Sequence, residues 1–83
     1  MTQLELFPID DDFTPNWKPL EQHIGDQCGL WMWMYRKNGL EFYKNRETRR
    51  YLALDSDGNA YEALHPGAWT PVEFHAAYVR AIA

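Results

Sequence analysis

The stretch LWMWMYRKNGLEFYKNR, residues 30–46, decides the fold of this chain. At its centre stands Asn38-Gly39, a dipeptide that favours a two-residue hairpin turn because both residues adopt the positive φ that such a turn needs. The aromatic and apolar residues on either side favour extended structure. We therefore predict a β-hairpin whose strands cover residues 30–37 and 40–46.

Further strands follow the hairpin. A third is predicted over residues 49–55. Asp57-Gly58 is a turn signal that leads into a short fourth strand at about residues 60–64. Because consecutive strands with short connections pair side by side, the chain should form an antiparallel meander of three to four strands.

Helices are predicted at both ends of this meander. Pro19 suits a first helical turn and predicts a short N-terminal helix up to about Ile24. Near the C-terminus, Thr70 is predicted as an N-cap, with Pro71 at the first helical position and Glu73 completing a capping box. The apolar spacing that follows is helical to the end of the chain. The fold class is therefore α+β, with a capped C-terminal helix packed on one face of the sheet.

The register imposed by the hairpin turn sorts the side chains between two faces of the sheet. It pairs Tyr35 with Phe42, Met34 with Tyr43, Trp33 with Lys44, and Trp31 with Arg46. One face is uniformly apolar, is predicted to be the core, and comprises Leu30, Met32, Met34, Tyr43, Leu52, Leu54, Tyr61 and Ala63. The other face mixes aromatic and basic residues, namely Trp31, Trp33, Tyr35, Phe42 and Tyr51 with Lys37, Lys44, Arg46 and Arg49.

The mixed face has two interpretations. Aromatic rings among cations can stack the bases and meet the phosphates of single-stranded nucleic acid. The candidate residues for this nucleic-acid or partner face are Trp31, Trp33, Tyr35, Phe42, Lys44, Arg46 and Arg49. The alternative is ordinary sheet stabilisation, because tryptophan beside lysine or arginine on paired strands also gives packing and cation–π contacts. The N-terminal segment, with Phe13, Trp17 and three aspartates, can also fold over this face.

A five-residue peptide near the N-terminus is the sharpest functional clue. The sequence Gln3-Leu4-Glu5-Leu6-Phe7 resembles the motif Gln-Leu-Ser/Asp-Leu-Phe, by which many bacterial replication and repair proteins dock on the DNA polymerase sliding clamp. Four positions match, and Glu5 is acidic like the Asp variant. The resemblance covers these residues alone. It implies a protein partner, with Leu6 and Phe7 in an apolar pocket, Leu4 on a shallower surface and Gln3 hydrogen-bonded at the rim.

The same peptide also has a structural interpretation. Leu4 and Leu6 alternate as they would in an edge strand, and Phe7 can plug a core. A third possibility for the whole protein is a structural or inhibitory contact with another protein through exposed tryptophans, since exposed apolar patches mark contact sites.

Length and composition predict one domain. The chain has 83 residues, and four Trp, five Tyr and four Phe give it large side chains to bury. Residues 1–15, with two prolines and three adjacent aspartates, are predicted to be a mobile acidic arm, and residues 16–83 a single α+β domain. A single cysteine excludes an internal disulfide, and the N-terminus does not resemble a signal peptide. Without a run of about 20 apolar residues for a membrane span, the expected location is cytoplasmic.

The sequence assembles no recognisable catalytic or metal centre. The soft metal ligands are Cys28, His23, His65 and His75, and they lack the close pairing of common metal motifs. The run Asp10–Asp12 fits a solvated tail better than a cation site. A non-enzymatic interaction protein without cofactor, metal or membrane association is therefore expected.

Overall fold

An antiparallel sheet of five strands and two α-helices make up the residues that the computed structural model describes, 14–63 and 68–83. The elements are α1 (Lys18–Ile24), a 3₁₀ helix (Gly25–Leu30), β1 (Trp31–Lys37), β2 (Leu40–Asn45), β3 (Tyr51–Leu54), β4 (Ala60–Ala63), β5 (Trp69–Val72) and α2 (Phe74–Ile82). The strands lie in the sheet in chain order, so the sheet is a meander. The α+β class and both helices are confirmed, but the sheet has five strands rather than three or four.

The central hairpin forms at the predicted turn. Asn38 and Gly39 have φ of 54° and 79°, the conformation that favours these two residues. Tyr35 lies opposite Phe42, as predicted. The register then shifts between Trp33 and Tyr35, so that the predicted pairing is wrong from this point back to the start of β1.

The shift has a definite cause and consequence. Met34 is the extra residue of a β-bulge, which places Trp33 opposite Tyr43 instead of Lys44. Trp31 correspondingly lies opposite Asn45 instead of Arg46. Because strand residues alternate between faces, one inserted residue exchanges the faces of everything before it.

The tryptophans of β1 therefore belong to the core. Trp31 is buried, with 2% of its surface exposed, whereas Leu30 and Met34 are 48% and 38% exposed. Trp33 is half-buried and packs against the same core. The predicted core positions of Leu30 and Met34 are thus wrong, and the predicted positions of Trp31 and Trp33 on the opposite face are wrong as well.

The core lies between the sheet and the helices. It is formed by Leu20 of α1, Ala77 and Ala81 of α2, and the strand residues Trp31, Tyr43, Leu52, Leu54 and Ala60. Tyr43, Leu52 and Leu54 occupy it as predicted, but Tyr61 packs on the opposite side of the sheet. Burial raises the pKa of Tyr43, whose hydroxyl donates a 2.6 Å hydrogen bond to the Asn16 carbonyl.

The start of α2 differs from the predicted capping box. Thr70 and Pro71 belong to β5, which pairs with β4. Because β5 is at the edge of the sheet, Pro71 can be accommodated there without losing a ladder hydrogen bond. The helix begins at Phe74, and Glu73 is itself the N-cap, its carboxylate accepting a 3.1 Å hydrogen bond from the Ala76 N–H.

The turn between β3 and β4 is organised by Asp55. Its carboxylate accepts hydrogen bonds of 2.9 Å from the N–H groups of Asp57 and Asn59. Burial acts to raise the pKa of Asp55, but the hydrogen bonds from Asn59, Tyr61 and Asp57 outweigh it and hold the pKa below its ordinary value. The turn also contacts α1, since His23 Nε2 lies 2.8 Å from the Gly58 carbonyl.

Asp55 should therefore stabilise the fold in a pH-dependent way. We expect Asp55→Asn to lower the free energy of unfolding by about 1 kcal/mol at neutral pH, a small value for charged hydrogen bonds because the turn is at the surface. A depressed folded-state pKa gives stability that is present above the unfolded pKa of about 3.9 and is lost as the pH falls through the folded pKa. Urea unfolding of the natural chain and of Asp55→Asn at pH 7 and pH 2.5 measures this loss. The same difference in free energy of unfolding between the two proteins at both pH values would contradict the expectation.

Candidate binding face

The sheet surface opposite the helices is rich in aromatic residues. We call it the aromatic face; its rings belong to Tyr35, Phe42, Tyr51, Tyr61 and Trp69. Phe42 is at its centre. The Tyr35 ring stacks on Phe42 with 4.7 Å between centroids, and Trp69 meets Phe42 edge-on at 5.4 Å. Both arrangements are the ones that aromatic quadrupoles favour.

These side chains form a cluster separate from the core. The buried members are Leu40, Phe42 and Ala53, which are 8%, 6% and 3% exposed, and Tyr35 and Tyr61 pack against them. Every member of this cluster is a strand residue. Within the described part of the chain, these side chains are therefore buried by one another and not by a helix. The rings are consequently held in place by one another.

Hollows lined by described residues lie on this face, and Trp69 is in the wall of two of them. One has a volume of about 460 Å³ and is lined by Phe42, Tyr51, Ala53, Tyr61, Glu62, Ala63, Trp69 and Arg80. The other has a volume of about 240 Å³ and is lined by Tyr35, Lys37, Asn38, Leu40, Phe42 and Trp69. The two hollows make the face an uneven apolar surface across β1 to β5 rather than a flat wall.

The aromatic rings at the rim are accessible. Tyr51 is 47% exposed and Trp69 is 41% exposed. A large aromatic surface left in contact with water is the usual sign of a contact site, provided that the exposed rings are neighbours. Tyr51 and Trp69 line the same hollow, so they meet that condition.

Lys37 and Lys44 are cations of this face, in addition to Arg80. The Lys44 ammonium lies 5.8 Å from the centre of the Tyr51 ring, within cation–π range. Lys37 lines the smaller hollow at the end of β1. Throughout residues 14–63 and 68–83, neither ammonium is paired with a carboxylate. Glu62 is paired with Arg80 at 2.8 Å, so among the described residues it does not compensate the charge of the lysines.

Two tyrosines of the face, Tyr35 and Tyr61, have a raised pKa. A hydrogen bond from the Tyr61 hydroxyl to the Asp55 carboxylate, 3.0 Å long, raises the pKa of Tyr61. Burial, followed by the proximity of Tyr51, raises the pKa of Tyr35. Neither phenol therefore adds negative charge to oppose the lysines.

The residues predicted for this site are divided between three places. Tyr35, Phe42 and Lys44 lie on the aromatic face, as predicted. Trp31 and Trp33 lie on the core side because of the bulge. The sequence prediction missed the contribution of Tyr61 and Trp69, the first because its strand register was unknown, the second because β5 was not expected.

The two predicted arginines lie in the turn from β2 to β3. Arg46 and Arg49 are exposed, and Arg49 has a positive φ of 66°. Within this turn, Thr48 donates a hydrogen bond to the Ala81 carbonyl, and Arg50 donates one of 3.3 Å to the Arg80 carbonyl. The turn thus satisfies carbonyls at the end of α2 and presents its remaining cations at one end of the sheet.

A buried ion pair connects the core side of the sheet to the start of the described chain. The Glu41 carboxylate accepts hydrogen bonds from Trp33 Nε1 at 2.7 Å and from Arg36 Nε at 2.6 Å. Arg36 also donates a 3.0 Å hydrogen bond to the Thr14 carbonyl. The Trp17 ring contacts Tyr43, with 5.4 Å between centroids. The chain is therefore fixed to the sheet from Thr14 onward.

The other sequence predictions concern residues beyond these contacts. The peptide Gln3–Phe7 and most of the predicted arm over residues 1–15 lie outside the described residues. Among residues 14–63 and 68–83, no three His, Cys, Asp or Glu side chains come together as a metal site. No helix of that part of the chain is long and apolar enough to cross a membrane.

Comparisons with protein-family models, curated proteins and solved structures give no match for this chain. Its function has to be inferred from its own residues.

Proposed function

We propose that this protein is a non-enzymatic interaction module that docks on the bacterial sliding clamp through Gln3–Phe7. The observation that carries the proposal is the match of four positions out of five to the clamp-binding peptide. The matching positions are Gln3, Leu4, Leu6 and Phe7.

The chemistry of each matching residue suits an apolar cleft. Leu6 and Phe7 are the apolar anchors, and burying a side chain of this size contributes about 1.5–3 kcal/mol. Leu4 adds a smaller apolar contact, and the Gln3 amide both donates and accepts hydrogen bonds at the rim. An extended peptide of this length loses conformational entropy on binding, so the affinity of the single site should be modest.

The position of the peptide in the chain also supports docking. The folded domain fixes the chain at Thr14, through the hydrogen bond from Arg36. Seven peptide units separate Phe7 from that point. At about 3.3–3.6 Å per residue they reach at most about 25 Å. This is enough for the peptide to enter a cleft on another protein while the domain stays outside it.

The direct test is calorimetric titration of the full chain into a purified bacterial sliding clamp. We expect saturable binding by the natural chain. The variant with Gln3→Ala, Leu6→Ala and Phe7→Ala should bind at least about a hundredfold more weakly, because two apolar anchors are lost and each tenfold step corresponds to about 1.4 kcal/mol.

A matched control lies in the same segment. Changing Asp10, Asp11 and Asp12 to Asn alters three residues near the motif but none within it, and should leave the affinity within about threefold. Absence of heat from the natural chain at clamp concentrations of about 100 μM would contradict the proposal, as would equal binding by the triple alanine variant.

A further inference from the structure

The aromatic face has the composition of a ligand site. Clamp docking through Gln3–Phe7 does not involve this face and therefore does not explain it. Tyr51 and Trp69 present exposed rings in one hollow. Lys44 lies over Tyr51, and Lys37 borders the adjoining hollow. The site therefore combines exposed ring faces with cations that have no carboxylate partner in the described part of the chain.

The charges of the chain are separated in a way that favours an anionic ligand for this face. Residues 1–13 contain four acids and no Lys or Arg, and residues 14–83 contain eight acids and eight bases. The whole net charge of −4 thus belongs to the first thirteen residues. Within the neutral remainder, the segment 44–50 holds four bases and one acid. This segment continues directly from the end of β2 that carries Lys44.

We propose that the aromatic face binds single-stranded nucleic acid. Bases stack on Tyr51 and Trp69, the exposed rings, since any base can stack on an aromatic side chain. Lys44 and Lys37 neutralise phosphates. Lys37 ends β1 opposite Leu40, and Lys44 lies further along β2, so the two lysines are about 13 Å apart along the strand direction at 3.3 Å per residue. Lys44 lies opposite Tyr51 on the neighbouring strand, so one cation is beside a stacking ring and the other, Lys37, is next to the hairpin turn.

Single strands fit this surface better than a duplex or a second copy of the chain. The bases of a duplex are stacked on one another and do not offer their faces to side chains, whereas those of a single strand do. A second copy would bring the unpaired lysines of both copies together in a low-dielectric interface, where unpaired charges are costly. The proposal uses none of residues 1–13, so it stands or falls independently of clamp docking.

The test is fluorescence anisotropy of a labelled oligothymidylate twelve-mer titrated with the full chain, with a labelled duplex as a second probe. The natural chain should bind the single strand more tightly than the duplex, and more weakly as salt rises. Tyr51→Ala should weaken single-strand binding about five- to hundredfold, the effect expected for losing one stacked base. Because Tyr51 is exposed, this variant should keep its fold, which an unchanged urea unfolding midpoint would verify.

The contribution of the lysines is tested by a matched pair of variants. Lys44→Gln removes one phosphate contact and should reduce the slope of log affinity against log salt by about 0.7, the value for a single strand. Lys18→Gln makes the same change of charge on α1, against the opposite side of the sheet, and should leave the slope unchanged.

Three results would overturn the proposal. The first is no single-strand binding by the natural chain at about 50 mM salt, where such contacts are strong. The second is equal binding by the natural chain and Tyr51→Ala. The third is a dimer in sedimentation that dissociates in the Trp69→Ser variant, because that result would assign the aromatic face to a second copy of the chain.

Discussion

Replacement of Trp31 by Ala is expected to remove much of the stability of this protein. Trp31 is among the largest side chains of the core and is 2% exposed, with its ring against Tyr78 of α2 at 5.8 Å. Truncating a buried tryptophan costs about 3–5 kcal/mol. A domain of 83 residues has a free energy of unfolding of about 4–12 kcal/mol. Urea unfolding, followed by circular dichroism, should therefore show a free energy of unfolding reduced by about 3–5 kcal/mol and a midpoint at a much lower urea concentration.

The same experiment tests the bulge in β1 when Met34→Ala is measured beside it. Met34 is 38% exposed at the bulge, so its truncation should cost less than about 1 kcal/mol. A hairpin register without the bulge would bury Met34 and expose Trp31, so it predicts the larger loss of stability for Met34→Ala. A larger loss of stability for Met34→Ala than for Trp31→Ala would contradict the bulge and the assignment of faces that follows from it.

Replacement of Arg36 by Met is expected to have the second largest effect. It leaves the Glu41 carboxylate, whose side chain is 5% exposed, with the Trp33 indole as its remaining hydrogen-bond donor among the described contacts. Removing one partner of a buried ion pair costs about 3–5 kcal/mol, and the lower end applies because Arg36 is 19% exposed. The free energy of unfolding in urea measures this loss.

A second ion pair provides the control. Arg80 and Glu62 make two hydrogen bonds of 2.8 Å, but their side chains are 55% and 33% exposed. Arg80→Met should therefore cost clearly less than Arg36→Met, because solvent screens an exposed ion pair. Adding Glu41→Gln to Arg36→Met should recover part of the stability, because the unpaired buried charge is then gone. Equal losses for the Arg36 and Arg80 variants would show that the Glu41 pair contributes no more than a surface contact.

The sequence was sufficient to predict the hairpin because its turn is specified locally. Asn38-Gly39 selects the turn, and the turn selects the pairing of its immediate neighbours, including Tyr35 with Phe42. The bulge at Met34 has no comparable local signal. Met32 and Met34 are as apolar as the tryptophans beside them, so either register buries an apolar set. The choice depends on how the large Trp31 ring packs against the helices, which is a tertiary effect.

The end of the chain shows a different kind of limit. Thr70, Pro71 and Glu73 satisfy the pattern of a capping box, and the same residues also suit an edge strand followed by a one-residue cap. Local preference does not distinguish these alternatives. Pairing with β4 does, because it satisfies the backbone of Trp69–Val72 and places Trp69 against Phe42.

The sequence predicted that one face of the sheet carries aromatic rings and cations, but it did not predict all of the residues on that face. The presence of aromatic residues and cations on one side of the sheet follows from the composition of β2 and β3, which places Phe42, Lys44 and Tyr51 together. The members contributed by β4 and β5 depended on strands whose register the sequence does not determine. As a result, the tryptophan on the aromatic face is Trp69, whereas Trp31 lies in the core and Trp33 packs against it.

The most direct test of clamp docking is displacement of a fluorescent Gln-Leu-Asp-Leu-Phe peptide from the purified sliding clamp by the full chain. Docking through Gln3–Phe7 predicts complete displacement by the natural chain and by the Asp10–Asp12 to Asn variant. The variant carrying Gln3→Ala, Leu6→Ala and Phe7→Ala should need a concentration at least about a hundredfold higher. Retention of the fluorescent peptide on the clamp at saturating concentrations of the natural chain would contradict the proposal, since the chain would then not occupy the peptide cleft.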